Sequence, residues 1–281
     1  LIIPAGTIIR GIANLSMTPK QYATIVVERG GYISCEGTSA RPVVFTSAKG
    51  SEYRGSGDWG GIVICGKARN NQGTDIQVEG FNNISANSTL AKHGGINDDD
   101  NSGVIKYTRI EFCGLAFEPN KEINGLTLAS VGRNTTVDHV QVSYSNDDSY
   151  EWFGGTVNCK HLISFKTTDD DFDTDNGYKG KVQFAVSLRD PAIADQSGSN
   201  GFESDNDATG TGATPATHPI FSNVSVFGPY CNPSISANNL YKRSAHLRRN
   251  TETCIYNSVM AGYPVGLLID ASTTESNATD G

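Results

Sequence analysis

A run of alternating aspartates is the part of this sequence that most directly suggests chemistry. It reads Asp-Asp-Asp-Phe-Asp-Thr-Asp-Asn-Gly over residues 169–177. In an extended strand, successive side chains point to opposite faces, so the carboxylates are expected on one face and Phe172 on the other. If Phe172 lies in the interior, four carboxylates share the outer surface. These are Asp169, Asp171, Asp173 and Asp175.

An internal repeat brings further carboxylates to the same place. Residues 147–155 align with 169–177 at a shift of 22, and residues 172–176 align with 202–206 at a shift of 30. If each repeat is one coil of a solenoid, Glu151, Asp173 and Glu203 stack on neighbouring coils. Asp205 then lies beside Asp175. Carboxylates one strand spacing apart repel each other unless they bind protons or a cation.

Calcium is the cation that this chemistry favours, because many hard oxygen ligands suit Ca²⁺ better than zinc or copper. The predicted ligands are Asp169, Asp171, Asp173, Asp175, Glu203 and Asp205. Two alternatives need no metal. The carboxylates can form a solvated acidic turn, or the basic segment 242–249 can fold back across them, with Arg248 or Arg249 forming bidentate bonds.

The same residues allow an enzymatic hypothesis. A glycoside hydrolase needs an acid and a base or nucleophile, and β-helical lyases combine Ca²⁺ with a basic residue. The candidate catalytic residues are Asp173, Glu203, Asp205 and Arg249. The candidate ligand-binding residues, which would stack on sugar rings or bind an anion, are Trp152, Tyr178, Arg248 and Arg249. The sequence lacks the Gly-His-Gly motif of polygalacturonase-like enzymes, a phosphate-binding loop, a Ser/His/Asp motif and a Cys/His pairing.

The charge of the chain is concentrated in this acidic block. Residues 147–207 contain 13 acidic and five basic residues, which accounts for the whole net charge of −8. A neutral scaffold with one acidic block is a poor partner for a nucleic-acid backbone and a good one for a cation.

Short strands must position these residues. Segments such as 106–114, 138–146 and 160–166 alternate apolar and polar residues, which is typical of strands with one buried face. Hairpin signals are scarce. The pattern predicts an all-β protein, a parallel β-helix with little α-helix and with loop insertions near residues 70–101, 190–201 and 209–219.

The cysteines and histidines carry weaker signals. The six cysteines include no Cys-x-x-Cys pair, so a zinc site has little support. Four of them lie in or beside apolar strands and are expected to be reduced and buried, namely Cys35, Cys65, Cys113 and Cys159. Cys231 and Cys254 bracket a polar insertion and form the one pair for which a disulfide is considered. His139 and His161 align at the 22-residue shift and are interpreted as a stacked polar rung rather than a metal site.

Several longer strings carry a family resemblance. They are Gly-Asp-Trp-Gly-Gly-Ile-Val-Ile at 57–64, the segments 122–128, 147–158, 169–177 and 197–207, and Ala-His-Leu-Arg-Arg-Asn-Thr at 245–251. Over nearly the whole chain, the sequence resembles exported proteins of Bacteroidota, most of them described only as hypothetical, lipoprotein-like or β-helix-repeat proteins. The resemblance implies a right-handed parallel β-helix of the pectin-lyase-like type. It implies no established activity and no catalytic residues.

These observations lead to one domain and three functional hypotheses. Residues 1–281 are expected to form a single β-helix, part of a longer exported chain that is secreted or displayed on the outer cell surface. No apolar run reaches the roughly 18 residues that span a bilayer. The first hypothesis is a glycan-binding or adhesin-like module with a Ca²⁺ site. The second is a Ca²⁺-dependent polysaccharide lyase or glycoside hydrolase, and the third is a structural spacer. The partner in the first two is a polysaccharide or cell-surface glycan, and the oligomeric state is left open.

Overall fold

The computed structural model describes residues 1–17, 21–81, 90–118, 121–231 and 234–280. The chain is an all-β, right-handed parallel β-helix with loop insertions, as the repeat and the family resemblance together predict. One α-helix, α1 (Ser272–Asp280), follows the last strand.

Twenty-five strands lie in the described residues. The first half of the chain contains β1 (Ile2–Ile3), β2 (Ile8–Gly11), β3 (Ala13–Asn14), β4 (Gln21–Tyr22), β5 (Ile25–Val27), β6 (Ile33–Glu36), β7 (Val43–Ser47), β8 (Ile62–Cys65), β9 (Ile76–Gln77), β10 (Lys92–His93), β11 (Gly103–Glu111), β12 (Ala116–Glu118), β13 (Lys121–Glu122) and β14 (Leu126–Val131). The second half contains β15 (Thr136–Ser143), β16 (Tyr150–Gly155), β17 (Asn158–Phe165), β18 (Phe172–Asp175), β19 (Lys181–Leu188), β20 (Ser199–Ser204), β21 (Ile220–Phe227), β22 (Tyr241–Leu247), β23 (Cys254–Tyr256), β24 (Val259–Ala261) and β25 (Val265–Ile269).

Two long parallel sheets form the walls of the helix. The first has 11 strands and is built around β6, β11, β15, β17, β19 and β21. The second has eight strands in the order β25, β22, β20, β18, β16, β14, β8 and β5. From β14 to β22, successive strands alternate between the two sheets, so that each coil adds one strand to each sheet. Residues one coil apart in sequence thereby become neighbours along the stacking direction. Three short antiparallel pairs, β3–β4, β9–β10 and β12–β13, belong to loops.

The strand register confirms the alignment that was inferred from the repeat. Glu151 pairs with Asp173, and Asp173 pairs with Glu203. Phe172 likewise pairs with Phe202, and both rings are buried, with their centroids 5.4 Å apart. The 22- and 30-residue shifts therefore correspond to one coil each.

The predicted insertions fall between strands of the two long sheets, except that the last three residues of segment 190–201 belong to β20. The segment 70–101 contains the antiparallel pair β9–β10, and its residues 82–89 lie outside the described part of the chain. The segment 190–201 ends in the first residues of β20.

No helix within the described residues has the length and apolar composition that a bilayer-spanning segment requires.

The cysteines are free thiols. Cys35, Cys65, Cys113 and Cys159 are buried, as predicted, and burial raises the pKa of Cys65, Cys113 and Cys159 to about 12. The proposed bridge is absent from the structure. Cys231 lies exposed in a 3-10 turn, and Cys254 begins β23.

One aspartate of the acidic run lies inside the helix, contrary to the sequence-based expectation. Asp171 is fully buried, and its carboxylate lies 3.1 Å from the buried guanidinium of Arg189. Ser164 and Ser187 also donate hydrogen bonds to it. Asp171 precedes β18, in the turn where the chain enters the sheet, so strict alternation does not apply to it.

The buried pair holds the turns together. Arg189 donates a hydrogen bond of 2.8 Å to the carbonyl of Thr167 and others to the carbonyls of Asp169 and Asn200. It therefore fixes the backbone of two adjacent coils at the edge of the acidic surface.

Replacement of Arg189 by methionine is expected to lower the free energy of unfolding by about 3–5 kcal/mol, because it leaves the Asp171 carboxylate buried without its cation. Urea denaturation followed by circular dichroism measures the change. The double variant Asp171→Asn/Arg189→Met should recover part of the loss, since no buried charge remains. The matched control is Arg10→Met, at an exposed position of β2. A loss for Arg189→Met no larger than that of the control would show that the pair contributes little.

Candidate functional site

Three neighbouring strands of the eight-stranded sheet carry the stacked carboxylates. In β18 the Phe172 and Thr174 side chains are buried, while Asp173 and Asp175 face outward and are partly exposed. Glu151 of β16 and Glu203 of β20 occupy the positions that pair with Asp173. The predicted ladder of Glu151, Asp173 and Glu203 therefore exists on the outer face of this sheet.

The same register places two predicted sugar-binding aromatics in the interior. Trp152 pairs with Thr174, and the side chains of both residues are buried on the inner face of the sheet. Its ring stacks on that of the buried Tyr178, with centroids 5.4 Å apart. Trp152 and Tyr178 cannot stack on a glycan, and their assignment as ligand-binding residues was wrong. The alignment that stacked Glu151 on Asp173 already implied this, because neighbouring residues of a strand face opposite ways.

A second column of polar residues runs beside the ladder, and the sequence-based prediction missed it. The column consists of Asn124, Asp148, Asp170 and Asn200. Each of them lies two residues before a buried core residue, and these core residues pair with one another from coil to coil. In the same order they are Leu126, Tyr150, Phe172 and Phe202. The repeated Asn-Gly-Leu at 124–126 and Asn-Gly-Phe at 200–202 is the signal that could have identified its two ends.

Hydrogen bonds run along this column from coil to coil. The amide of Asp170 donates to Asp148 Oδ1 at 2.8 Å, and the amide of Asn200 donates to Asp170 Oδ1 at 2.5 Å. The side-chain amides connect the column to the ladder, since Asn124 donates to Glu151 and Asn200 donates to Glu203 at 3.3 Å. Both rows of acids are thereby held in one rigid array.

The carboxylates away from the arginines hold their protons unusually tightly. Burial, followed by the charges of neighbouring carboxylates, raises the pKa of Asp148, Glu151 and Asp173 well above the usual range. Burial and the charge of Glu203 raise the pKa of Asp170 to about 7. Burial and the charge of Asp205 raise that of Asp175 to about 8.

The other end of the ladder is neutralised by arginines. Arg248 Nε donates to Asp205 Oδ1 at 2.8 Å, and Arg248 also donates to Glu203. Arg249 Nη1 donates to Asp205 Oδ2 at 2.8 Å. Burial alone would raise the pKa of Glu203, but His246 and Arg248 outweigh it and hold this pKa below the usual value. The arginine alternative for neutralisation is thus realised, but only at this end.

A groove of about 470 Å³ opens along the array. Its walls include the ladder, the second column, the turn aspartates Asp147 and Asp169, His246 and three arginines, which are Arg243, Arg248 and Arg249. The lining residues that matter for the chemistry are Asn124, Asp147, Asp148, Glu151, Asp169, Asp170, Asp173, Asn200, Glu203, Arg248 and Arg249. Glu79 and Glu122, which come from the loop insertions, also line it. An open, polar and strongly charged groove suits a hydrophilic ligand rather than an apolar one.

Two groups of carboxylates within this groove have the geometry to bind a cation. Asp147, Asp148 and Asp169 offer one oxygen each within 4.8 Å of one another, and so do Asp148, Glu151 and Asp173. Asp148 belongs to both groups. Oxygen ligands in this number and of this kind fit Ca²⁺.

The structure divides the six predicted metal ligands among different environments. Asp169 and Asp173 lie in the two carboxylate groups. Glu203 and Asp205 bind the arginines, and Asp175 lies farther along β18. Asp171 is buried against Arg189, so its placement on the outer face was wrong.

The predicted catalytic candidates are similarly divided. Asp173, Glu203 and Arg249 line the groove, whereas Asp205 is 5% exposed, lies behind the arginines and is not part of the lining. The predicted anion-binding residues, Arg248 and Arg249, do reach the groove.

Comparison with known proteins agrees with the architecture. No curated protein and no solved structure matches the chain significantly. The sequence model of a family described as the pectate-lyase-like β-helix domain matches residues 1–281. Its match spans all the coils, including those that carry the groove. The chain therefore belongs to the pectate-lyase-like β-helix domain family.

Proposed function

We propose that the groove binds an acidic polysaccharide through a calcium ion held by the carboxylates around Asp148. The observation that carries this proposal is the uneven neutralisation of the array. Arg248 and Arg249 pair with Glu203 and Asp205 at one end. Among the described residues, no ion pair is formed by Asp147, Asp148, Glu151, Asp169 or Asp173, although these carboxylates lie side by side.

A divalent cation would relieve this repulsion. Carboxylates held within 4.8 Å of one another in a partly buried groove destabilise the fold unless they are protonated or neutralised. The Oδ1 atom of Asn200, which also lies at the groove, is buried and has no hydrogen-bond partner within the described part of the chain. It offers one more neutral oxygen to a cation or to a sugar hydroxyl.

The charge distribution suggests an acidic glycan rather than a neutral one. A bound calcium ion presents positive charge to a substrate carboxylate, and the two arginines at the end of the groove present more. Without the cation, the same groove would repel a polyanion. Binding of the glycan and binding of calcium are therefore expected to depend on each other.

Hydrolysis of the glycan is the second candidate function, and a difference between two pKa values favours it. The pKa of Asp173 is raised well above its usual range, whereas that of Glu203 on the next coil is lowered. A protonated and an ionised carboxyl group side by side are what a glycosidase uses as acid and as base or nucleophile. A lyase is less favoured: burial lowers the pKa of Arg248, but Glu203 and Asp205 outweigh it and raise this pKa above its usual value, which makes the arginine a poor base.

The location follows from the substrate. A polysaccharide-binding module acts outside the cell, so we propose a secreted or surface-displayed protein, as the resemblance to exported Bacteroidota proteins also implies. A purely structural spacer would have no use for a groove lined by carboxylates that lack ion-pair partners.

Calcium is expected to raise the melting temperature, since a ligand that binds only the folded state stabilises it by mass action, by about 2.7 kcal/mol at roughly 100 times Kd. Melts with Ca²⁺ and with chelator measure the shift. Asp148→Asn should abolish most of it, because Asp148 belongs to both carboxylate groups. The control Glu52→Gln, in an exposed turn, should keep the full shift. Identical melts in calcium and chelator would refute the calcium site.

Stability of the metal-free protein is expected to fall as the pH rises from about 4 to 8. Asp170 and Asp175 have folded-state pKa values of about 7 and 8, above the unfolded value near 4. The native state thus binds protons that the unfolded chain has released, and this stabilisation is lost as the pH passes through the folded-state values. Urea denaturation in chelator at several pH values measures the slope. Asp170→Asn should make the dependence on pH shallower. A free energy of unfolding that increases from pH 4 to pH 8 would contradict the assignment.

Binding of an acidic polysaccharide such as polygalacturonate is expected to require calcium and to weaken at least tenfold in the variant Arg248→Gln/Arg249→Gln. Isothermal titration with polygalacturonate and with a neutral glucan tests both expectations. If the groove is hydrolytic, Asp173→Asn should abolish the release of reducing ends, because Asp173 is the proposed acid. Equal binding of the two glycans, with or without chelator, would rule out the proposed recognition.

A further inference from the structure

A cysteine, a histidine and a glutamate meet near the last coils of the helix. Cys254 of β23 pairs with Ile220 of β21, an offset of 34 residues. The same offset places Glu252 beside His218, each two residues before its strand. The sequence separates these three side chains, and the stacking of coils brings them together.

The contacts are arranged in a chain. The Cys254 thiol lies 3.9 Å from His218 Nε2, and His218 Nδ1 lies 2.9 Å from a carboxylate oxygen of Glu252. The thiol and the carboxylate therefore face opposite nitrogens of one imidazole. The backbone amide of His218 donates to the carbonyl of Tyr178 at 2.9 Å, and that of Cys254 donates to the carbonyl of Pro219 at 3.0 Å. Backbone hydrogen bonds to neighbouring coils thus hold His218 and Cys254 in position.

This order of groups is that of a nucleophile, its base and the residue that positions the base. A carboxylate that accepts a hydrogen bond from Nδ1 holds the proton there and leaves Nε2 free to accept the thiol proton. A distance of 3.9 Å is long, but such contacts commonly shorten when a substrate binds.

The three residues open into a cavity with apolar walls. It has a volume of about 700 Å³, and His218, Glu252 and Cys254 all line it. The other walls include Leu247, Ile255, Met260, Leu267 and Ile269. The groove described above is lined by none of these residues. A polar triad at the edge of an apolar cavity suits a substrate with a reactive polar centre and an apolar tail.

We propose that Cys254, His218 and Glu252 form a thiol-dependent acyl-transfer site for esters with an apolar acyl chain. Cys254 Sγ bonds to the ester carbonyl carbon while its proton passes to His218 Nε2. The bond from that carbon to the alkoxy oxygen then breaks, and His218 returns the proton to the departing alcohol. Water, deprotonated by His218, releases the carboxylic acid from the thioester and restores the thiol. Glu252 is a positioning residue.

The test uses p-nitrophenyl octanoate and p-nitrophenyl acetate with the whole protein. We expect a burst of p-nitrophenol of about one equivalent, acylation of Cys254 by mass spectrometry, and a reaction of the octanoate that is faster by at least about fourfold, since each methylene that the cavity covers contributes roughly fourfold. His218→Gln should slow acylation by about 100-fold or more, in line with the effect of a positioned base. Glu252→Gln should slow it less, and Glu252→Asp should restore part of the rate.

Cys231 provides the matched control, because it is the more exposed of the two accessible thiols. Cys231→Ala should leave the burst unchanged, whereas Cys254→Ala should remove it. Circular dichroism shows whether each variant is folded. The proposal fails if Cys254 is not acylated, if Cys231 reacts as fast as Cys254, or if folded His218→Gln reacts like the wild type.

Discussion

Parallel stacking of coils in register is the constraint on which the rest of this structure depends. It places each residue above its counterpart one coil away, at the spacing of two hydrogen-bonded strands. Inside the helix this aligns Phe172 with Phe202 and favours packing. Outside, it aligns Glu151, Asp173 and Glu203 and favours repulsion. The same geometry thus builds a stable core and an acidic surface that needs neutralisation.

The protein meets this need in different ways along the array. Arg248 pairs with Glu203 of β20 and with Asp205, which follows this strand, whereas burial raises the pKa of Glu151 in β16 and of Asp173 in β18. In the interior, Asp171 has its own cation in Arg189. Ion-paired carboxylates at one end thus give way to carboxylates with raised pKa values at the other, which is the region where we propose that a cation binds.

The two proposed sites arise from the same stacking but use different chemistry. In the groove, like charges accumulate because the repeated coils carry similar residues. Near the last coils, unlike residues are superposed instead, so that a thiol, an imidazole and a carboxylate form one connected set. An irregular coil length, here 34 residues rather than 22, allows such a combination.

The sequence alone determined the parallel β-helix, the one-coil shifts and the ladder of Glu151, Asp173 and Glu203, because period-2 patterns and repeats report directly on strands and their register. It did not determine which acids are neutralised. The position of Asp171 depends on a turn, where alternation ends, and on Arg189, 18 residues later. The column of Asn124, Asp148, Asp170 and Asn200, and the contact between His218 and Cys254, depend on coil lengths set by the loops. Such contacts join residues that are distant in sequence, and only the tertiary structure decides them.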